Sequence, residues 1–296
     1  MAPLRILVFG RSGQLARELQ RLKSPLVASI DCIGRETIDL LQLERLPEVL
    51  ASREFDVVVN AAAYTAVDRA EVEPQIAFAL NREAPRALAN ICASRGLPLV
   101  QVSTDYVFDG TKTSPYIETD SPNPIGVYGR SKAEGEEAVL AAEGCASVLR
   151  TSWVYSAFSN NFVKTMLQLS ETRSEINVVA DTSGRPTWAH DLAEACVVTA
   201  AGLFAGKSQV KGVLHYAGAG DASWADLAET VFACAQARGA KGAKVNRIAT
   251  SEYSTLAHRP ANSCLNTDRF QRVFGMPPRP WREAVKFCVA EILAGP

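Results

Sequence analysis

Residues 4–15, LRILVFGRSGQL, decide the fold of this chain. Leu4–Phe9 is a short, mostly apolar run, which is typical of a buried parallel strand. The turn Gly10-Arg11-Ser12-Gly13 breaks the run, and leucines at 15, 19 and 22 follow at helical spacing. A glycine-rich turn lets a pyrophosphate approach the helix N-terminus, where free amides favour anions. The stretch therefore predicts the first turn of a dinucleotide-binding domain, with an ordinary strand-to-helix turn as the alternative.

Strand-like and helix-like stretches alternate through the first half of the chain. Further strand candidates are residues 26–33, 56–60, 97–103 and 146–150. This alternation indicates βαβ units around a parallel sheet, with ligands at the carboxyl ends of the strands. We predict an α/β fold: a Rossmann-like doubly wound parallel sheet over residues 1–150 and a smaller C-terminal α/β substrate lobe over 151–296. The boundary is approximate, and segments of the two parts can interleave.

Composition excludes several classes of protein. The 296 residues include 31 Lys plus Arg and 32 Asp plus Glu, a formal net charge of −1, so neither nucleic acid nor a membrane is expected as a partner. Seven cysteines without a C-x-x-C pair do not indicate a disulfide framework or a structural zinc site. The first three residues lead directly into an apolar strand without a signal peptide, so we expect a cytoplasmic protein.

A second group of polar residues predicts carbonyl chemistry. Thr104 directly follows the fourth strand candidate, and Tyr128 and Lys132 are four residues apart, so they share one face of a helix. A free tyrosine has a pKa of about 10, and a nearby ammonium would lower it. Thr104 would polarise a carbonyl oxygen from the other side. Such a tyrosine and lysine also occur together on ordinary surface helices, but the three residues beside a glycine-rich turn favour a reductase.

The choice of cofactor depends on where the second strand ends. If it ends near Ile30, Asp31 would meet a ribose 2′-hydroxyl. If it runs to Ile33, Arg35 would accommodate the 2′-phosphate of NADPH. We favour NADPH, with NADH as the open alternative.

Longer motifs resemble one family. They are GRSGQL (10–15), NAAAYTAVDRAE (60–71), STDYVFDG (103–110), YGRSKAEGE (128–136), RTSWVY (150–155), VVADTSGRPT (178–187) and RPANSCL (259–265). With these motifs the chain resembles an extended short-chain dehydrogenase/reductase, and within that superfamily it closely resembles the dTDP-4-dehydrorhamnose reductase family. The resemblance implies NADPH-dependent reduction of the C4 ketone of dTDP-4-dehydro-β-L-rhamnose to dTDP-β-L-rhamnose, the last step of dTDP-L-rhamnose biosynthesis.

The resemblance also implies a set of site residues. Tyr128 would donate the proton, and Thr104 would assist at the carbonyl. Lys132 would adjust the pKa of Tyr128 and hold the nicotinamide ribose. We predict that the cofactor contacts Gly10, Arg11, Ser12, Gly13, Gln14, Leu15, Arg35, Asp39, Leu40, Ala61, Ala62, Ala63, Tyr64, Thr65, Tyr128 and Lys132. We predict that the dTDP-sugar contacts Thr104, Asp105, Trp153, Arg185 and Arg259, the two arginines through the diphosphate.

Some members of the family use magnesium near a subunit contact. The matching positions here are Glu18, His190 and Glu291, and a histidine suits magnesium poorly. We therefore expect no metal and a monomer or weak homodimer. Two alternatives to the main function stay open: a sister dTDP-4-ketosugar reductase that makes the C4 epimer, and a catalytically silent regulatory or cofactor-sensing member.

Overall fold

A computed structural model describes residues 2–295. Its strands are β1 (Leu4–Phe9), β2 (Val27–Ile33), β3 (Val57–Asn60), β4 (Leu99–Thr104), β5 (Ala146–Thr151), β6 (Val154–Tyr155), β7 (Glu175–Val179), β8 (Thr187–Trp188), β9 (Gly212–His215) and β10 (Lys244–Ile248). Its α-helices are α1 (Gln14–Arg21), α2 (Leu46–Ala51), α3 (Val67–Ala70), α4 (Pro74–Phe78), α5 (Ala84–Ser94), α6 (Val127–Ala141), α7 (Phe162–Ser170), α8 (Ala189–Phe204), α9 (Trp224–Gln236), α10 (Asp268–Phe274) and α11 (Trp281–Ala294). Within this range no helix combines the length and the apolar character needed to cross a membrane.

Six strands form one parallel sheet in the order β2-β1-β3-β4-β5-β9. The predicted doubly wound α/β fold is confirmed. The chain moves from β1 to β2 in one direction and from β3 to β5 in the other, so the order reverses between β1 and β3. In sheets of this kind ligands bind beyond the carboxyl ends of the strands at the reversal.

Helices cover both faces of the sheet and bury its apolar side chains. On one face, Leu15 and Leu19 of α1 pack with Leu192 and Cys196 of α8 against the strands. On the other face, α2, α5 and α6 contribute Leu50, Leu88 and Val139 to a second core. The strands are therefore buried on both sides, which explains their continuous apolar sequences.

The second half of the chain builds the lobe and also returns to the sheet. In the lobe, α9 packs against α7, α11 and the small parallel sheet β7–β10 around Tyr155 and Trp281. Helix α8 and strand β9, however, belong to the large sheet and its covering layer. The two parts therefore interleave after residue 151, and the boundary at residue 150 stays a prediction.

Helix α6 passes close to a π-helical stretch, Ala79–Glu83, that joins α4 to α5. A Cβ atom on Gly135 of α6 would overlap the carbonyl oxygen of Asn81. Only a glycine permits this approach between the two backbones. The contact places Tyr128 and Lys132, which lie on the same helix, relative to the sheet.

Substituting Gly135 with alanine should therefore destabilise the protein by about 1–3 kcal/mol, because backbone must move to admit the methyl group. The measurement is urea denaturation of both proteins. Glu137→Ala, at an exposed position on the same helix, is the control and should change the free energy of unfolding by less than about 0.5 kcal/mol. Equal effects of the two variants would contradict the close approach.

Candidate active site

One large cleft, of about 980 Å³, opens at the carboxyl edge of the sheet where the strand order reverses. It is lined by the turn after β1, the end of β2, the loop after β3, the ends of β4 and β5, and residues of the lobe. Of the predicted site residues, the cleft is lined by Gly10, Arg11, Ser12, Gly13, Gln14, Leu15, Arg35, Asp39, Leu40, Ala61, Ala62, Ala63, Thr65, Thr104, Asp105, Tyr128, Lys132 and Trp153. The fold thus brings together side chains that are far apart in the sequence.

The turn after β1 lies directly against the loop after β3. Gly10 has a φ of +120°, and a Cβ atom there would lie 3.4 Å from the backbone of Ala61 and Ala62. The turn also contacts the lobe, because Ser159 Oγ donates to the carbonyl of Ser12 at 2.8 Å. These contacts leave a groove whose base is formed by backbone and small side chains. Such a groove lets a dinucleotide lie close to the backbone.

The end of β2 distinguishes the two alternatives for the ribose. Strand β2 runs to Ile33, and Arg35 lines the cleft just beyond it. Asp31 lies within the strand and its carboxylate accepts from Arg53 Nε at 3.2 Å. Asp31 is not among the residues that line the cleft. This geometry favours the alternative in which Arg35 meets a 2′-phosphate.

Thr104, Tyr128 and Lys132 meet at the inner end of the cleft. Thr104 Oγ1 donates to Asp105 Oδ1 at 3.0 Å, and Lys132 Nζ donates to the carbonyl of Val102 at 2.7 Å. Thr104, Asp105 and Lys132 are almost fully buried. The group combines a phenol, a hydroxyl, a carboxylate and an ammonium in a site that excludes most water.

Burial controls how these groups titrate. It raises the pKa of Tyr128 to about 12; the charge of Asp105 raises it further, and the Thr104 side chain opposes the shift. Burial also raises the pKa of Asp105 to about 6 and lowers the pKa of Lys132 to about 8. Lys132 is not among the groups that shift the pKa of Tyr128 here, and its ammonium donates to the carbonyl of Val102. Tyr128 therefore keeps its proton at neutral pH, as a proton donor must.

The lobe places two stacked indoles at the wall of the cleft. Trp153 has a φ of +46°, and its ring centroid lies 3.6 Å from that of Trp224 with the planes 5° apart. Both residues line the cleft. Trp224 is the first residue of α9, which packs in the lobe. From the sequence alone, this position indicates a residue of the hydrophobic core. Its place beside Trp153 depends on tertiary structure.

Known proteins share this architecture over nearly the whole chain. A family model described as the RmlD substrate binding domain matches residues 4–294. The dTDP-4-dehydrorhamnose reductase of Sinorhizobium fredii is 44% identical over 291 residues, with 98% of each chain covered. This chain belongs to the dTDP-4-dehydrorhamnose reductase family.

Solved structures of the reductase family superpose closely on this chain. An ortholog of the reductase from Clostridium acetobutylicum has a TM-score of 0.89 at 34% identity, covering 97% of this chain and 98% of the other. The reductase of Bacillus anthracis, solved in complex with NADP, has a TM-score of 0.88 at 32% identity, covering 97% and 99%. The predicted family is thus confirmed.

Three predicted site residues do not line the cleft. Tyr64 donates its hydroxyl to Glu73 at 2.5 Å. Arg185 Nε donates to Asp221 at 2.8 Å, and Arg259 Nη2 donates to Asp68 at 2.8 Å. Their contacts with cofactor or substrate stay predictions, since each side chain already has a partner in this structure.

Asn81 is a buried residue of the site region that the sequence did not single out. Its side-chain amide accepts from the backbone N–H of Tyr64 at 2.8 Å and donates to the carbonyl of Tyr64 at 3.0 Å and to Ser131 at 3.0 Å. These bonds tie the loop after β3 to the π-helical stretch and to α6. The sequence signal is weak, because Asn81 stands directly before the charged residues Arg82 and Glu83 and does not stand out as a buried polar position.

The positions that match the magnesium site of the family do not fit a metal here. Arg21 Nε donates to Glu18 Oε2 at 2.6 Å, and the same guanidinium pairs with Glu291. His190 Nδ1 lies 3.6 Å from Glu18 Oε2. An arginine thus occupies the space between the two carboxylates. Within residues 2–295 no group of three or more His, Cys, Asp or Glu side chains is arranged to hold a metal ion.

Proposed function

We propose that this chain reduces the C4 ketone of dTDP-4-dehydro-β-L-rhamnose to dTDP-β-L-rhamnose with NADPH. Family membership over nearly the whole chain supports the reaction and the cofactor. The observation that carries the proposal is the protonated, half-buried Tyr128 beside Thr104 in the cleft at the sheet edge. A ketone reductase needs such a donor where the new alkoxide forms.

The roles of the side chains follow from their positions. When bound, NADPH supplies the hydride that adds to C4. The carbonyl carbon then becomes tetrahedral, and negative charge develops on the ketone oxygen. Tyr128 transfers its phenolic proton to this oxygen, and Thr104 stabilises the developing charge by a hydrogen bond. Lys132, largely protonated below its pKa of about 8, offsets the charge of the phenolate that remains.

On the substrate side, Asp105 and Trp153 are proposed to contact the sugar. Asp105 Oδ2 is buried and lacks a hydrogen-bond partner in this structure, so a sugar hydroxyl would satisfy it. Trp153 offers an indole on which the C–H face of a hexose packs well. For Arg185 and Arg259 to hold the diphosphate, each guanidinium would exchange its present carboxylate for a phosphate.

The direct test is NADPH oxidation by the purified protein with dTDP-4-dehydro-L-rhamnose, compared with its UDP and GDP counterparts. We expect turnover that is fastest with the dTDP-sugar, and a product whose NMR spectrum has the L-rhamno configuration at C4. The opposite configuration would establish the sister reductase. NADPH binding without turnover of any dTDP-4-ketosugar would establish the silent alternative.

Arg35 provides a test of the cofactor preference. We expect Arg35→Ala to raise the KM for NADPH about tenfold, because charge-assisted hydrogen bonds to the 2′-phosphate are lost. The KM for NADH should stay within a factor of about two, since its ribose has no phosphate to bind. Steady-state kinetics with each cofactor give both values. Equal changes for NADPH and NADH would contradict this role of Arg35.

The net charge and the proposed substrate also indicate the partners and the cellular location of the enzyme. A near-neutral chain that acts on a small dTDP-sugar needs neither nucleic acid nor a membrane as partner. We propose a cytoplasmic enzyme that is a monomer or a weak homodimer.

A further inference from the structure

The side chain of Glu36 folds back over the end of β2, beside the turn after β1. A Cβ atom on Gly34 would lie 2.6 Å from Glu36 Oε2 and 3.1 Å from the Cβ of Arg11. Arg11 Nη1 donates to Glu36 Oε1 at 2.6 Å. These residues and Arg35 all line the cleft at its nucleotide end. The carboxylate of Glu36 therefore packs over Gly34 at the nucleotide end of the cleft.

The carboxylate is paired with Arg11 near the surface, where the Arg11 side chain is 59% and the Glu36 side chain 55% exposed. The nearby backbone amide of Glu36 itself, then the hydrogen bond from Arg11, and finally the backbone amide of Gly34 lower the pKa of Glu36. Backbone N–H groups and a guanidinium are also the donors that bind phosphate in proteins. A carboxylate of the chain itself thus pairs with a guanidinium that also suits an external anion.

We infer that Glu36 competes with the 2′-phosphate of NADPH for Arg11, and thereby limits the preference for NADPH over NADH. This inference rests on the proposed use of NADPH. A 2′-phosphate bound near Arg35 would be repelled by a fixed carboxylate, so Glu36 must leave Arg11 when NADPH binds. NADH requires no such movement, because its ribose 2′-hydroxyl can donate to the carboxylate in place.

Glu36→Gln tests the competition by removing the charge while keeping the size of the side chain. We expect the Kd for NADP⁺ to fall about tenfold, as unpaired Arg11 becomes available to the phosphate. The Kd for NAD⁺ should rise slightly or stay the same. Isothermal titration calorimetry gives both constants without any sugar substrate, so a failure of the proposed sugar reduction would not affect the result.

Two further variants separate the contribution of Arg11 from a general effect of charge. Glu44→Gln removes one negative charge from an exposed position outside the cleft and should leave the ratio of the two Kd values unchanged. In the Glu36→Gln background, Arg11→Gln should abolish the gain for NADP⁺. Two smaller probes extend the test. The Kd for adenosine 2′,5′-bisphosphate should change as the Kd for NADP⁺ does, and the Kd for 5′-AMP should change as the Kd for NAD⁺ does.

The outcomes separate competition from a structural role. If Glu36 only holds Arg11 and the turn in place, Glu36→Gln would weaken NADP⁺ and NAD⁺ together. That result, or an unchanged ratio of the two Kd values, would overturn the inference. A lower Kd for NADP⁺ that persists without the Arg11 guanidinium would also overturn it, since Arg11 would then not be the group in competition.

Discussion

Replacing Tyr128 with phenylalanine is expected to lower kcat by roughly 100-fold or more, the usual range for loss of a general acid. The variant keeps the ring and removes only the hydroxyl whose proton the alkoxide needs. Because burial raises the pKa of Tyr128 to about 12, the phenol is protonated throughout the neutral range. It is therefore ready to donate its proton at any pH in that range. The measurement is single-turnover NADPH oxidation with saturating dTDP-4-dehydro-L-rhamnose.

Two controls accompany this variant. The Kd for NADPH should change little, because the loss concerns proton transfer and not binding. Tyr253→Phe, at an exposed position outside the cleft, should retain wild-type turnover. If Tyr128→Phe keeps kcat within about tenfold, the general acid is another group. Asp105, with a pKa of about 6 at the same end of the cleft, would then be the first candidate.

The second large effect concerns the buried ion pair beneath the site. Arg150 of β5 donates to Glu136 of α6 at 3.0 and 2.6 Å, and both side chains are about 3% exposed. His215 lies 3.4 Å from the guanidinium, and burial followed by the charge of Arg150 lowers its pKa to about 3. His215 is therefore neutral, and Glu136 is the group that balances the charge of Arg150.

Glu136→Gln should thus lower the free energy of unfolding by about 3–5 kcal/mol, because it leaves a buried guanidinium without its counter-charge. The Tm should fall by roughly 10 °C for a chain of this size. Chemical denaturation and calorimetry give both quantities. Glu134→Gln, on the same helix but in a half-exposed pair with Arg82, is the matched control and should cost about 1 kcal/mol or less.

The double variant Glu136→Leu with Arg150→Met separates charge from packing. If the cost of Glu136→Gln comes from the unpaired charge, two apolar side chains should recover most of the lost stability. A double variant as unstable as Glu136→Gln would show that shape and hydrogen bonding around the pair dominate instead.

Much of the fold could be predicted from local patterns. Strand β1 has the predicted bounds, and β2, β3, β4 and β5 begin and end within two residues of the predicted ones. Parallel strands buried on both faces have nearly continuous apolar sequences, so short runs between glycine-rich turns reveal them. The return of α8 and β9 to the sheet could not be specified, because pairing between distant strands leaves no local signal.

The candidate site was predictable where its residues belong to motifs. Tyr128, Lys132, Thr104 and the turn from Gly10 to Leu15 line one cleft. Trp224, Asn81 and Glu36 lie in no motif that was recognised, and each owes its place to packing between distant segments. Conversely, Arg185 and Arg259 matched motifs but are paired with carboxylates outside the cleft lining.

The sequence by itself determined the class of fold, the family and the identity of the reactive groups, since these depend on residue types at short fixed spacings. Tertiary structure alone decided how those groups titrate and compete. Lys132 was expected to lower the pKa of Tyr128, yet it bonds to Val102 while burial raises that pKa. Glu36 likewise reaches Arg11 only because β1 and β2 lie side by side. Desolvation and through-space charge depend on neighbours that sequence distance does not reveal.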